Sequence, residues 1–504
     1  MVSQALHRKH WVPFAGVTEM IAAVADVMER QTPGEFGGPD PAAERGALAR
    51  RAMAALGYML ATLLLLWPAF WNGYPLVFAD SGTYLGQALL HYLGWDRPPF
   101  YSFFLLLSHW RMTLWLPVLT QGLLMAHLLG LCLRALGRTE IWALPITAAA
   151  LALLTPLPWF VAQLMPDFFT GVTVLTLWLL GFRLSTLSIG ERIYVLGLAM
   201  FAVAVHQSHL PLALALTGVA WLLISLRRGW RHAWRPALRM LVPALVTAAA
   251  LTGVNGIGRG QPSLSPFGMV FLAARVIYDG PGMAVARREC PEVGWKLCEV
   301  LDRMPPGHNS FLWNADSPLQ DSLGGAQVWA TEARQIVFAT LRAEPGAMAV
   351  AALGNTLMQL GLFGVGDGLE PWPPPHGPQP LVARFFPGEL PALQDGRQQT
   401  GRLVVDARRF IPLHLAAVLA GGIGLLGLLI FRWQRLPAPA AGLAVMMLAA
   451  VVVNAGVAGA LSGPAGRYQA RIIWLVPFVS GVLLAGLRLV PQPAPASLRP
   501  RFPS

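Results

Sequence analysis

The chain is short of charge. Of its 504 residues, 12% are Asp, Glu, Lys or Arg, about half the roughly 25% of soluble domains. Hydrophobic residues make up 55% and the mean hydropathy is +0.53, which excludes an ordinary soluble globular protein. Cysteine is scarce: Cys132, Cys290 and Cys298 are the only three. No second cysteine pair or His-x-His cluster accompanies Cys290 and Cys298, and His308 alone does not complete a zinc ligand set. No internal repeat is evident, which disfavours an inverted-repeat transporter. The N-terminus lacks a secretory signal, because Pro13, Gly16, Glu19 and Asp26 interrupt its apolar stretch, Trp11 to Val27. The net charge of +12 resides mainly in connections between apolar runs. It therefore speaks first of membrane topology, and nucleic-acid binding is not expected.

What is abundant is apolar sequence in runs of about 20 residues, each long enough to cross a ~30 Å hydrocarbon layer. Helices satisfy their own backbone hydrogen bonds in lipid, so the fold class is an all-α polytopic membrane protein. Ten transmembrane helices are predicted: Met53–Trp71, Thr113–Leu133, Ile141–Trp159, Phe168–Phe182, Ile193–Val205, Pro211–Leu226, Met240–Gly256, Ile411–Phe431, Ala438–Leu461 and Ile472–Leu489. Residues 1–51 form a cytoplasmic leader, partly disordered, with a Gly- and Pro-rich linker at Gln31–Asp40. Residues 52–256 form an N-terminal bundle of about seven spans with a first outer loop at 72–112. Residues 257–410 form a soluble extracytoplasmic insertion with an interfacial or re-entrant helix near 347–365. Three spans follow in 411–489, then a cytoplasmic tail, 490–504.

Arginine placement orients this array. Arg45, Arg50 and Arg51 precede the first span, and the alternation then puts Arg134–Arg138, Arg183–Arg192, Arg227–Arg239, Arg432–Arg435 and the tail arginines Arg499 and Arg501 on the cytoplasmic side. The polar residues that stand out in apolar surroundings collect on the other side. Cys290 and Cys298, eight residues apart there, are a disulfide candidate, with two free thiols as the alternative.

Asp80, in Ala-Asp-Ser-Gly-Thr-Tyr84, is either a helix cap or a general base, a carboxylate near lipid poised to take a proton from a hydroxyl. Asp167, in Gln163-Leu-Met-Pro-Asp, has the same two readings, and facing Asp80 it would share the work of acceptor or metal binding. Asp96-Arg97-Pro98-Pro99 is a turn in which Arg97 binds phosphate or pairs with Asp96. His206 and His209 have a spacing that allows both rings onto one helical face. As metal ligands they would need a third, such as Asp167; otherwise they bond neighbouring carbonyls. Arg467 and Arg471, one turn apart around Tyr468, offer several donors to a phosphate, or snorkel to the interface.

An acidic residue after the first span, a Pro98-Pro99-Phe100-Tyr101 element before the second, Asp167 in the next outer loop and Arg467-Tyr468 opening a late span together resemble the GT-C glycosyltransferases. The resemblance implies a bacterial inner-membrane enzyme with both termini cytoplasmic and its active face periplasmic. Such an enzyme uses a polyprenyl-phosphate sugar donor, and the resemblance makes Asp80 and Asp167 the catalytic candidates and Arg467 and Tyr468 part of the site; the polar residues expected on the same side add Tyr84, Arg97, Gln163, His206, His209 and Arg471 as substrate-binding candidates. Asp80 is followed by Ser81 and Gly82, so no Asp-x-Asp or Glu-x-Asp pair is present. No cofactor is required by this reading and the metal is left unassigned, a divalent ion being compatible with it. The alternatives are a transporter or flippase for a lipid-linked or anionic substrate, and a non-catalytic membrane scaffold.

Overall fold

The computed structural model describes residues 41–374 and 376–487. The readings made for Trp11–Val27, Gln31–Asp40, Arg499 and Arg501 lie outside the described residues. The chain divides into two units, Met1–Ala55 and Leu56–Ser504. In the first, the chain is helical from Pro41.

Among the described residues, eight helices are long and apolar enough to cross a membrane: Glu44–Leu65, Trp115–Ala135, Pro166–Thr186, His209–Arg228, Trp230–Arg259, Arg402–Arg435, Ala438–Leu461 and Gly466–Gly486. The protein is thus an all-α, multi-pass membrane protein, and among the described residues no strand forms. Two of the ten predicted spans are not among these eight. Ile141–Trp159 becomes Ala143–Leu154, 12 residues, and a turn of helix at Leu157–Val161, because Thr155 is extended and prolines follow at 156 and 158. Ile193–Val205 is the 16-residue helix Ile189–Ala204, started by a capping box in which Ser188 and Glu191 satisfy each other's backbone amides.

Two further apolar pairs occur within 257–410: Gly268–Tyr278 with Pro281–Glu289, bent by 89°, and Gly325–Ala343 with Pro345–Gly361, bent by 104°. Each could count as one broken span, which would bring the total to ten. The second bend has a local cause: Pro345 has no N–H to continue the preceding ladder, and Glu344 leaves helical geometry at φ −131° and ψ 46°. Pro345–Gly361 packs along Ala438–Leu461, where a Cβ on Gly459 would lie 2.6 Å from the Asn355 carbonyl oxygen. The insertion also has its own core, built around Val270, Ile277, Phe311, Trp329 and Ile336, and Cys290 and Cys298 form a disulfide.

Lipid offers no hydrophobic gain for bringing helices together, so close approach depends on small residues. Gly171, on the Phe169–Trp178 helix, gives its place to the Trp474 indole, and a Cβ there would run into that ring. Gly421 does the same for Pro477, to 2.8 Å. The first contact brings the 166–186 and 466–486 helices together and the second sets the 402–435 helix against 466–486; the candidate site is built at one end of the first pair.

The first outer loop is more ordered than its polarity predicts. It folds as two helices, Ala79–Leu90 and Phe100–His109. Both are too short to register as spans, yet each buries an apolar face: Tyr84, Leu85 and Leu89 on one, Tyr101 and Leu105 on the other.

Candidate functional site

An extended segment before Ala79 fixes where Asp80 stands. The side-chain amide of Gln398 accepts from the Val77 N–H (3.0 Å) and donates to the Val77 carbonyl (2.6 Å). Asn72 Oδ1 in turn accepts from the Gln398 N–H at 2.7 Å. Leu76 bridges to the neighbouring connection, donating to Ala162 and accepting from Leu164. Gln163 donates to the carbonyls of Val77 and Gly368, both at 3.2 Å. Gln121 holds that connection from below, donating to Val161 and Gln163 while accepting from the Tyr101 hydroxyl. Ser81 takes the Phe78 N–H and gives its own proton to the Leu164 carbonyl. Asp80 therefore does not cap its helix. It lies in the first turn with its carboxylate free for other work.

That carboxylate faces Arg97. Nη2 and Nε of Arg97 both donate to Asp80 Oδ2, at 2.7 and 3.1 Å. Among the described residues nothing bonds Oδ1. Arg97 also donates to the Asp96 carbonyl (3.2 Å), stands 3.9 Å from the Asp96 carboxylate and lies over Trp313. Burial opposes its charge, but Asp80 and Asp96 outweigh burial and raise its pKa. Burial pushes the Asp96 carboxyl up, with Arg97 opposing. One turn from Asp80, Tyr84 is fully buried, and its hydroxyl has no hydrogen-bond partner. Burial, with the carboxylates of Asp80, Asp167 and Asp96 and against Arg97, raises the pKa of that phenol.

The second group is an ion triad. Asp167 has no exposed surface and takes one guanidinium on each oxygen: Arg471 Nη1 on Oδ1 and Arg467 Nη2 on Oδ2, both at 2.9 Å. Pro166–Phe168 forms a 3-10 turn that aims the carboxylate, and the Gly466–Ile473 helix sets the two arginines four residues apart on one face. Arg471 also donates to Ser208 Oγ (3.1 Å) and Asn454 Oδ1 (3.2 Å). Arg467 stacks on Phe78, 3.8 Å from the ring centre, and its N–H donates to Asp367. Tyr468 lies beneath both guanidinium groups, at 5.5 and 5.3 Å.

His206 and His209 come together, with ring centres 5.2 Å apart. His209 contacts Ala202 O and Thr170 Oγ1, which occupies both ring nitrogens. His206 Nδ1 accepts from the Ser208 N–H, so the neutral ring carries its proton on Nε2. Burial, followed by Arg471 and His209, holds its pKa well below the usual histidine range.

The two groups adjoin. Phe78 belongs to the segment that sets Asp80 and carries Arg467 on its ring, and the fields of Arg97 and Arg471 both reach His206. Beside Arg97 a shallow cleft, partly open to the outside, is lined by Trp95, Pro98, Gln207, Leu251, Asn255 and Arg259 among others. Among the described residues no three His, Cys, Asp or Glu side chains stand close enough to hold a metal ion.

Several participants escaped the sequence reading. Asn454 had a signal, a lone amide inside an apolar span. Gln398, Asp367 and Arg259 had none, since polar residues in polar connections are unremarkable. No family model, no curated protein and no solved structure matches this chain.

Proposed function

We propose that the chain is a membrane glycosyltransferase similar in plan to the GT-C enzymes. It moves a sugar from polyprenyl phosphate to an acceptor hydroxyl, with inversion, on the periplasmic face of a bacterial inner membrane. The observation that supports this is convergence. Asp80 and Arg97, Asp167, His206 to His209, and Arg467 to Arg471 come from four segments spread over nearly 400 residues, yet they form two adjoining charged groups, and Arg97 of the first lines a cleft.

Asp80 Oδ1 receives the acceptor proton. The acceptor oxygen attacks the anomeric carbon, the bond from that carbon to the phosphate oxygen breaks, and its electron pair leaves with the phosphate. Arg97, with Arg259 across the cleft, meets the charge that develops there, the electrostatic contribution that is usually largest. Asp167 acts as the holder of Arg467 and Arg471. Asp80→Asn protein, reconstituted with a panel of polyprenyl-phosphate sugars, is expected to insert normally and lose transfer. Full activity of that variant overturns the role of Asp80. Binding without transfer by the wild type supports the transporter or flippase reading instead.

A further inference from the structure

The opposite end of the bundle carries a second constellation that glycosyl transfer does not use. Residues 227–239 contain five arginines and no acid. Arg227 is spent structurally: it donates to the carbonyls of Trp433 (3.2 Å) and Leu436 (3.4 Å) and stacks 3.9 Å from the Trp433 ring centre. That clamp fastens the 432–436 turn, with exposed Arg432 and Arg435, to the last turn of the His209–Arg228 helix, just before the Trp230–Arg259 helix begins. Arg228, Arg231, Arg235 and Arg239 are exposed as well, and among the described residues none of these six guanidinium groups has a carboxylate partner. The basic residues of another connection at this end differ, since Arg134 pairs with Glu191 at 2.6 Å and Arg138 approaches Glu140 at 3.8 Å.

Membrane topology requires positive charge at this end but no particular pattern. The pattern is nonetheless specific. Arg231, Arg235 and Arg239 recur every four residues and form one stripe. Beside it runs an exposed apolar stripe, Trp234, Leu238 and Leu245, which continues into the hydrocarbon-facing length of the same helix. The first arginine of the stripe lies in the opening turn of the helix, where its dipole disfavours a cation, so its position does not serve the helix. Arginine pairs with phosphate through two parallel hydrogen bonds, and tryptophan belongs at the boundary between headgroup and acyl chain.

We infer that this surface binds an anionic glycerophospholipid, with its headgroup phosphate on the Arg231–Arg235–Arg239 stripe and an acyl chain along Trp234, Leu238 and Leu245. The inference does not rest on the glycosyltransferase reading. The test titrates the full-length protein in detergent with phosphatidylglycerol and, separately, phosphatidylcholine. The expected result is at least tenfold tighter binding of phosphatidylglycerol at low salt, with a preference that shrinks as salt rises. Changing Arg231, Arg235 and Arg239 together to Gln is expected to abolish that preference, and changing them together to Lys to leave a weaker preference that depends on charge alone. Equal affinity of the wild type for the two lipids overturns the inference, as does a Gln variant that retains the preference. The wild-type and Lys measurements decide the matter should the Gln variant fail to fold.

Discussion

Asp80 and Asp167 are both carboxylates paired with arginine, yet their surroundings separate them. Asp80 retains partial exposure at 16% and Asp167 has none. Removing one partner of a fully buried ion pair leaves charge without compensation and costs roughly 3–5 kcal/mol. Asp167→Asn is therefore expected to lower the thermal unfolding temperature in detergent sharply, because two guanidinium groups would lose their counter-charge. Asp80→Asn should cost less, because that pair keeps some contact with solvent and Arg97 retains Asp96 beside it. Equal destabilisation would contradict the division between them. His206 adds a pH dependence. Its folded-state pKa is depressed from the ordinary value of 6.5, so above that pH the ring is neutral in both the folded and unfolded chain. As pH falls below it, the unfolded chain takes the proton first, and stability declines toward the lower folded value. Unfolding temperatures measured between neutral and mildly acidic pH should show that decline, and His206→Gln should flatten it.

Among the elements, the Gly171 contact predicts that Gly171→Ala overpacks the junction with Trp474 and costs about 1–3 kcal/mol, read as loss of folded protein in detergent. The long spans were legible because a run of about 20 apolar residues has few other fates. The site residues were legible for the converse reason: Asp167, Arg467 and Arg471 are expensive beside lipid. Their pairing was not legible, since Asp167 and Arg467 are 300 residues apart and nothing local in either segment specifies the other. The Ala79–Leu90 and Phe100–His109 helices were missed because each is shorter than a span and their polar connection read as loop. Asp80 as a helix cap was a reasonable local reading. Ser81, one residue on, took the Phe78 N–H instead.

For the whole molecule, the contacts follow the predicted alternation. Asp167, Ser208, Arg467 and Arg471 meet at one end, while Arg227 reaches Trp433 and Arg134 reaches Glu191 at the connections assigned to the other. Placing the 257–410 insertion outside at both of its ends requires an even number of crossings within it. If neither bent pair crosses, single cysteines at Gln320 and Ser462 should react with an impermeant maleimide from the same side of the membrane, and one at Gln434 from the other. Labelling of Gln320 and Ser462 from opposite sides would place a crossing between them.

The Asp167 triad also bears on how the chain is made. At roughly 5–20 residues per second, about 15 to 60 s of translation separate Asp167 from the arginines that neutralise it. During that interval an early span must reside in the membrane with an uncompensated acid at its end. Assembly of the nascent bundle is thus completed by its last helix, and a polypeptide released before Arg467 and Arg471 are synthesised should be a substrate for membrane quality control.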